Sequence, residues 1–199
     1  MAGAFPISTA KFQSLGIKSI QNTIISKTVS GKKLARQIDG QRWSFTARVI
    51  TAKRSDVYGE LMAFIIKQRS GKENFTIVPP EVEDARGTAS GTPNGTASAG
   101  ATSITLAGSG TGTLKAGDFI KFANHDKVYM VVADQSDIST GSLTIEPPLT
   151  TAVSSSDITY DNVPFTVYLT NDIQEFGVVG ADKDGNALYQ FEFDVEESL

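Results

Sequence analysis

The clearest strand pattern in the chain is QRWSFTARVIT, which spans Gln41–Thr51. Large or apolar side chains alternate along it with polar or basic ones: Trp43, Phe45, Ala47 and Val49 against Arg42, Ser44, Thr46 and Arg48. A period of two is typical of a strand with one face in the core and the other in water. The stretch therefore predicts a half-buried β-strand whose wet face is basic.

The C-terminal end carries a second alternating pattern, at Ala187–Val195. The larger residues on one of its faces are Tyr189, Phe191, Phe193 and Val195. Side chains of this size need a partner surface, and the other large apolar set lies in the Trp43 strand and the helix described next. We therefore expect the two ends of the chain to pack together. The residues DKDGN before this strand predict a hairpin turn at Asp184-Gly185.

One segment between these ends changes to a helical period. Within residues 55–69 a single helical face collects Val57, Leu61, Phe64, Ile65 and Gln68. We expect Ser55 or Asp56 to cap the start of this helix and Gly71 to take the left-handed position after its end. Further strands are expected at Ile17–Thr28, Leu34–Ile38, Asn74–Val78, Val163–Leu169 and Glu175–Val179.

The composition changes after Pro80. Residues 87–113 are almost entirely Gly, Ala, Ser and Thr, which is typical of a flexible linker or of the low-complexity edge of a small all-β module. Short apolar strands with turn residues between them follow at Asp118–Phe122, Val128–Ala133 and Leu143–Ile145. This spacing favours a small barrel or sandwich.

The predicted fold is therefore mainly β, a β-sandwich or barrel with one α-helix that carries an inserted small all-β domain. We assign residues 1–85 plus 160–199 to the sandwich scaffold, with the helix near 56–69, and residues 86–159 to the inserted domain.

The formal net charge of −4 is the sum of two unlike parts. Residues 1–80 carry 13 Lys and Arg against 4 Asp and Glu, a net of +9, whereas residues 81–199 carry 5 against 18, a net of −13. The candidate interface residues of the basic part are Lys32, Lys33, Arg36, Arg42, Arg48 and Arg54. Because Trp43 and Phe45 alternate inward, they offer no exposed stacking platform for bases. We therefore favour contact with protein over contact with nucleic acid.

Reactive residue types are scarce. The chain has no Cys and one His, His125, which excludes disulfides, thiolate metal clusters and His-rich metal cages. We expect the carboxylates near Glu81 to form a solvated loop, residues 182–186 a hairpin turn rather than a calcium loop, and His125 a loop tip. No catalytic residue, cofactor or metal is expected. The sequence shows neither a secretory signal nor an apolar stretch of membrane-spanning length, so we expect a soluble chain made in the cytoplasm.

The order of several short motifs resembles a known family. They are Ser30-Gly31-Lys32-Lys33 with Arg36, Gly40–Trp43, Phe75–Pro79, Leu114–Phe122, Lys127–Val131 and Pro147–Leu149. In this order the chain resembles tail-tip and baseplate proteins of tailed bacteriophages, and in plan it is similar to the distal tail protein family. It departs from the family pattern at Lys32-Lys33, where an Arg pair is expected; the charge is kept, but bidentate pairing is lost.

The resemblance implies an architectural role. Such proteins share a β-sandwich with tail-tube proteins and form rings, commonly hexamers, that join the tail tube to the tip or baseplate. It implies a place in the virion tail, after synthesis in the host cytoplasm. The implied partners are further copies of the chain and other tail tube, tip or baseplate proteins. No membrane is implied, and nucleic acid is implied only as DNA passing through the lumen.

Three other functions stay open on the sequence alone. The same sandwich serves tail-completion or terminator proteins. The inserted module could be a glycan-binding domain of the viral tip, if Phe119, Phe122 and Tyr129 were exposed in a groove. The basic half could also belong to a nucleic-acid-binding protein.

Overall fold

A computed structural model describes residues 3–6, 12–37 and 40–199 of the chain. The described residues are mainly β, with one α-helix, as predicted. The strands are β1 (Phe12–Ile20), β2 (Thr23–Lys27), β3 (Lys33–Gln37), β4 (Arg42–Val49), β5 (Ala52–Lys53), β6 (Phe75–Ile77), β7 (Pro93–Ala97), β8 (Ser103–Gly108), β9 (Phe119–Phe122), β10 (Val128–Val131), β11 (Ser142–Glu146), β12 (Val153–Thr159), β13 (Phe165–Leu169), β14 (Gly177–Ala181), β15 (Ala187–Gln190) and β16 (Glu192–Glu197). The helix α1 spans Gly59–Lys67. None of the helices in these ranges has the length and apolar character needed to cross a bilayer.

A five-stranded sheet with the order β1–β4–β16–β13–β6 brings the two ends of the chain together. Strand β4 buries every second residue, in agreement with its sequence pattern. It pairs antiparallel with β16, so that Val195 lies opposite Phe45 and Phe193 opposite Ala47. All four of these residues are buried. The expected packing of the N-terminal and C-terminal strands is confirmed.

The helix exists where the period predicted it, but both of its ends differ from the prediction. An irregular turn at Arg54–Tyr58 precedes it because Asp56 has non-helical dihedral angles, φ −90° and ψ −110°. Neither Ser55 nor Asp56 caps α1, which begins at Gly59 without a side-chain cap. After the helix, Arg69 and not Gly71 begins the left-handed segment, with φ 53°.

Residue 71 is nevertheless a position for glycine. A Cβ atom at Gly71 would lie 2.7 Å from the carbonyl oxygen of Leu169. The close approach of the chain to β13, rather than the backbone conformation, therefore requires glycine there.

The single strand expected at Ile17–Thr28 is two strands, β1 and β2, separated by Gln21 and Asn22. Strand β1 joins the five-stranded sheet, whereas β2 pairs only with β3 among the described strands. The expected strand at Leu34–Ile38 is confirmed as β3 up to Gln37; Ile38 lies outside the described residues.

Six strands form a closed barrel in the order β10–β11–β8–β7–β12–β9. The barrel has a hydrophobic core of its own, to which Ile104, Phe122, Tyr129 and Ile145 belong. The Gly-rich, Ser-rich stretch is part of this module, as strands β7 and β8, and is not a linker. Gly95 of β7 makes room for the core, because a Cβ there would lie 2.7 Å from the Ile104 side chain and 2.9 Å from the Phe122 ring.

The barrel is placed between two strands that are neighbours in the five-stranded sheet. The chain leaves that sheet after β6, builds the barrel, and returns as β13, which pairs antiparallel with β6. The core of the larger part collects buried residues from β4, α1, β6, β13 and β16. The barrel is therefore held at the sheet by both of its connections.

A three-stranded sheet with the order β14–β15–β5 extends from the other end of β4. The predicted hairpin turn is confirmed: the Asp182 N–H donates to the Asn186 carbonyl oxygen at 2.9 Å, and Gly185 has φ 82°. The last strand pattern is divided at the buried Phe191 into β15 and β16. Each half belongs to a different sheet, so one sequence pattern serves two sheets.

Candidate assembly surfaces

Strands β2 and β3 form a hairpin, residues 23–37, which we call the basic hairpin. All ten of its strand residues are exposed. They include large apolar side chains: Ile24 and Ile25 are each 56% exposed and Leu34 is 49% exposed. Two-stranded ribbons are marginally stable in water unless another surface covers them. The basic hairpin is therefore an incomplete element within the described part of the chain.

The charge of the basic hairpin has one sign. Residues 23–37 hold Lys27, Lys32, Lys33 and Arg36 and no carboxylate. None of these four cations makes an ion pair in the described ranges 3–6, 12–37 and 40–199. The Thr28 hydroxyl accepts from the Lys32 N–H at 3.0 Å and holds the turn. Three of the six predicted interface residues thus lie together on one exposed ribbon.

Two further predicted interface residues meet carboxylates of their own chain. Arg42 and Arg48 lie on the wet face of β4, opposite the neighbouring strand β16. Arg42 pairs with Glu196 and Arg48 with Glu192, each at 3.0 Å. Part of the charge difference between the halves of the sequence is thus neutralised inside the molecule.

The sixth predicted interface residue, Arg54, lies apart from the others. It begins the irregular turn before α1 and is exposed. Its neighbour Lys53 forms an ion pair with Asp182. This carboxylate also accepts from the Asn186 side chain, and these two contacts hold the pKa of Asp182 well below its usual value.

Strand β14 presents the opposite kind of surface, which we call the acidic edge and define as residues 172–184. It is the outer strand of its sheet, and its Val178 and Val179 are 59% and 55% exposed. A hollow of about 240 Å³ beside it is lined by Val179, Glu175 and Glu192, and also by Arg48, which pairs with Glu192. Sequence reasoning identified a strand here but missed the surface, because an edge strand and an inner strand have similar patterns over five residues.

The barrel and the five-stranded sheet meet at a buried ion pair between Lys127 and Glu197. The Glu197 carboxylate also accepts from the Val128 N–H at 2.8 Å and from the Trp43 N–H at 3.1 Å. Lys127 Nζ donates to Gln41 Oε1 at 2.8 Å, and Trp43 Nε1 donates to the Val128 carbonyl oxygen at 2.9 Å. We call this group the junction network.

Burial dominates the electrostatics of the junction network. The side chains of Lys127 and Glu197 are 1% and 0% exposed. Loss of hydration raises the pKa of Glu197 and lowers that of Lys127, while their mutual attraction opposes both shifts. Sequence reasoning missed this pair because the two residues are far apart in the chain. One local signal was present: Glu197 follows Val195 by two residues and so lies on the buried face of β16.

The aromatic residues of the barrel serve its packing. Phe122 and Tyr129 are fully buried, and Phe119 packs edge-on against Trp43 at 5.1 Å between ring centroids. Phe122 and Tyr129 therefore present no exposed face to a sugar ring, and Phe119 is partly buried. His125 is bonded from Nε2 to the Tyr129 hydroxyl at 2.7 Å, and its partial burial lowers its pKa.

The acidic and His side chains do not assemble a metal site. In the part of the chain that the structure covers, no three or more His, Asp or Glu residues are grouped so that they could hold a metal ion.

Comparison with known proteins bears on the barrel. Residues 83–163 match the family model described as distal tail protein pb9, B domain. No curated protein sequence matches the chain. The matched range contains all six barrel strands, from β7 to β12. This match confirms the resemblance drawn from the sequence motifs: the barrel is similar to a domain of a phage distal tail protein.

Proposed function

We propose that the chain is a structural, ring-forming component of a phage tail, which joins the tail tube to the tip or baseplate. The observation that carries the proposal is the match of residues 83–163 to a distal tail domain. The exposed basic hairpin supports it, because its apolar side chains are uncovered and its cations form no ion pair with any described residue, so another molecule is needed to complete it. No catalytic residue, cofactor or metal enters this function.

The division of labour that we propose follows the topology. Residues 1–85 plus 160–199 form the ring-building scaffold, and residues 86–159 form an inserted domain on the outside of the ring. The position of the barrel between the paired strands β6 and β13 supports this division. In the virion the scaffold would contact further copies of the chain and the tail tube, and the inserted domain would face other tip or baseplate proteins.

A ring whose copies are related by rotation needs two different, complementary surfaces on each copy. The basic hairpin, with Lys32, Lys33 and Arg36, supplies one of them in this proposal. It carries no aromatic residue for stacking on bases, and its exposed aliphatic side chains suit a protein surface better than a phosphate backbone. Arg42 and Arg48 contribute less, because each already pairs with a carboxylate. Arg54 is a further candidate for contact.

The test is assembly of the purified chain on tail tubes of the same phage, followed by native mass spectrometry and negative-stain microscopy. We expect a ring of several copies at one end of the tube. A chain that stays monomeric and never joins a tube would contradict the proposal.

A matched pair of variants sharpens the test. Lys32→Glu/Lys33→Glu should reduce ring formation at least tenfold. The control Lys67→Glu/Lys72→Glu makes the same change of charge at exposed sites on and after α1, and should assemble like the natural chain. Equal behaviour of the two variants would remove the basic hairpin from the interface.

A further inference from the structure

We propose that the basic hairpin of one copy adds to the free edge of β14 in the next copy, so that sheets shared between subunits close the ring. The proposal rests on the proposed ring function and names the surface that receives the hairpin. The molecule that binds at the edge of β14 is a second copy of this chain.

Strand β14 lies at the edge of its sheet. Its sheet has the order β14–β15–β5, so one side of β14 carries backbone groups that no strand pairs in the described ranges. Two exposed valines, Val178 and Val179, lie on this strand, and the segment before it holds Ile173, which is 86% exposed. Unpaired edges with apolar side chains are templates for another strand, and natural proteins protect them unless they are used. Strand addition of this kind supplies main-chain hydrogen bonds and pockets for side chains.

Two glycines lie in the same strand. Gly177 and Gly180 do not have left-handed backbone, and a Cβ atom added to either would meet nothing within 4 Å. The pairing of β14 with β15 shifts register between Val178 and Gly180, and a β-bulge is one reason for glycine at this place in a strand. The open space beside both glycines also leaves room for the close approach of another backbone. In β14 that backbone is the hairpin of the neighbouring copy.

The basic hairpin and the acidic edge carry opposite net charges. The basic hairpin carries four cations and no carboxylate, whereas the acidic edge carries Asp172, Glu175, Asp182 and Asp184 against Lys183. Asp182 is engaged by Lys53, but Glu175 forms no ion pair in the described ranges and lines the hollow beside Val179. Complementary charge orients the encounter, and the aliphatic contacts then hold it.

The other free edges fit the hairpin less well. Strand β1 carries Lys18 and no carboxylate, and β5 has only two residues, one of them Lys53. The outer side of β6 is already bridged, by Ala4 to Thr76. Among the described edges, β14 is thus the one that combines length, exposed apolar side chains and negative charge.

The basic hairpin and the acidic edge are placed by the two ends of β4. The basic hairpin follows the end of β1 that pairs with Arg42, the first residue of β4. The acidic edge belongs to the sheet that continues from β5, just beyond Val49 at the last residue of β4. Strand β4, with eight residues, spans about 24 Å at about 3.4 Å per residue. The two surfaces therefore lie at opposite ends of one strand, which suits a head-to-tail contact between copies.

The absence of cysteine allows a direct test by disulfide trapping. Cysteine replaces Ile24 or Ile25 in the hairpin and Val178 or Val179 in β14, which gives four double variants that cover both faces of β2 and two neighbouring positions of β14. Rings assembled on tail tubes are oxidised with diamide and analysed on a non-reducing gel. We expect at least one double variant to give a ladder of covalent oligomers.

The control pairs the hairpin cysteine with Ile66→Cys, an exposed apolar site on α1. It should give no ladder. Rings that form but give no ladder in any of the four variants, or the same ladder in the control, would overturn the proposed contact and leave the ring function intact. Failure of the natural chain to form rings at all would overturn the proposed function, and this contact with it.

A second variant does not depend on disulfide geometry. Gly180→Val adds a side chain where the isolated chain has open space, so the melting temperature should stay within about 2 °C of the natural value. Ring formation should fall at least tenfold, because the side chain would meet the incoming backbone. Ala63→Val on the exposed side of α1 is the control and should assemble normally. Normal assembly of Gly180→Val would contradict the proposal.

Discussion

The junction network and the basic hairpin are both built from charged and apolar residues, but they differ in completeness. At the junction, Glu197 accepts from Lys127 and from two backbone N–H groups, and the side chains are almost fully buried. In the hairpin, four cations and four large aliphatic side chains are open to water. The comparison separates a contact that the chain completes by itself from one that it leaves for another molecule.

The difference has an energetic reason. A buried charge without its partner is strongly unfavourable, so the junction must be completed within the folded chain. Exposed cations cost little in water, so the hairpin can await a partner without unfolding the rest of the molecule. Stability and assembly are therefore expected to depend on different residues.

The largest effect on stability is expected from Glu197→Ala. The variant leaves the Lys127 ammonium buried and removes the acceptor of two backbone N–H groups. Loss of one partner of a buried pair costs about 3–5 kcal/mol. For a chain of this size that corresponds to a fall in Tm of roughly 6–20 °C, measurable by circular dichroism.

Two variants show whether the loss of stability in Glu197→Ala comes from the buried charge of Lys127 that is left without its partner. Glu196→Ala, next to it on β16, removes the partly exposed pair with Arg42 and should cost about 1 kcal/mol or less. Lys127→Met/Glu197→Gln removes both charges, keeps an acceptor, and should recover much of the lost stability. Equal losses of stability for Glu196→Ala and Glu197→Ala would show that the buried pair of the junction network contributes no more than the partly exposed pair.

A smaller effect is expected from Trp43→Phe. The substitution keeps an aromatic ring against Phe119 but removes the Nε1–H that donates to the buried Val128 carbonyl oxygen at 2.9 Å. An unsatisfied buried acceptor costs about 1–3 kcal/mol. Urea unfolding followed by circular dichroism measures the change; an unaltered free energy of unfolding would mean that this hydrogen bond does not fix the barrel to the sheet.

Substitution in the basic hairpin should barely change stability. Ile24→Ser/Ile25→Ser alters exposed side chains and should stay within about 0.5 kcal/mol of the natural free energy of unfolding. The same variant should lose most of its ring formation on tail tubes, because it removes apolar contacts with the neighbour. A large loss of stability in the isolated chain would show that the hairpin already packs within its own molecule.

The smallest effect is a local dependence on pH at the hairpin turn of β14 and β15. The pKa of Asp182 lies below its usual value in the folded chain, so its contacts stabilise the fold at neutral pH. That contribution is complete above the ordinary Asp pKa of about 4 and is lost at lower pH, as first the unfolded chain and then the folded chain takes up the proton. The Tm difference between the natural chain and Asp182→Asn should therefore be constant from about pH 7 to about pH 5 and shrink as the pH falls below about 4. A difference that stays constant down to about pH 2 would rule out the charge of Asp182 as its cause.

The sequence predicted the elements whose pattern is local. Alternation identified β4 and the last strands, the change of period identified α1, and Asp184-Gly185 identified the turn. Strand β12 was not predicted, because a shift of register between Val153 and Ser156 interrupts its alternation. The start of α1 was placed too early because the non-helical backbone at Asp56 leaves no trace in the apolar spacing.

The surfaces could be predicted only in part. The cations of the hairpin were identified from the sequence, since charge is read from composition. Their separation from Arg42 and Arg48 depends on the pairing of β4 with β16, which joins distant parts of the chain. The same is true of Lys127 and Glu197, and of the free edge of β14, because pairing partners and sheet edges are properties of the folded topology.

Hydrogen–deuterium exchange distinguishes a basic hairpin that assembly completes from one that the isolated chain already covers. In the isolated chain, amides of residues 23–37 should exchange fast, while those of β10 and β16 at the junction should be protected. In rings on tail tubes, residues 23–37 and β14 should both become protected, with the junction unchanged. Protection of the hairpin already in the isolated chain, or no gain of protection in the ring, would contradict the account.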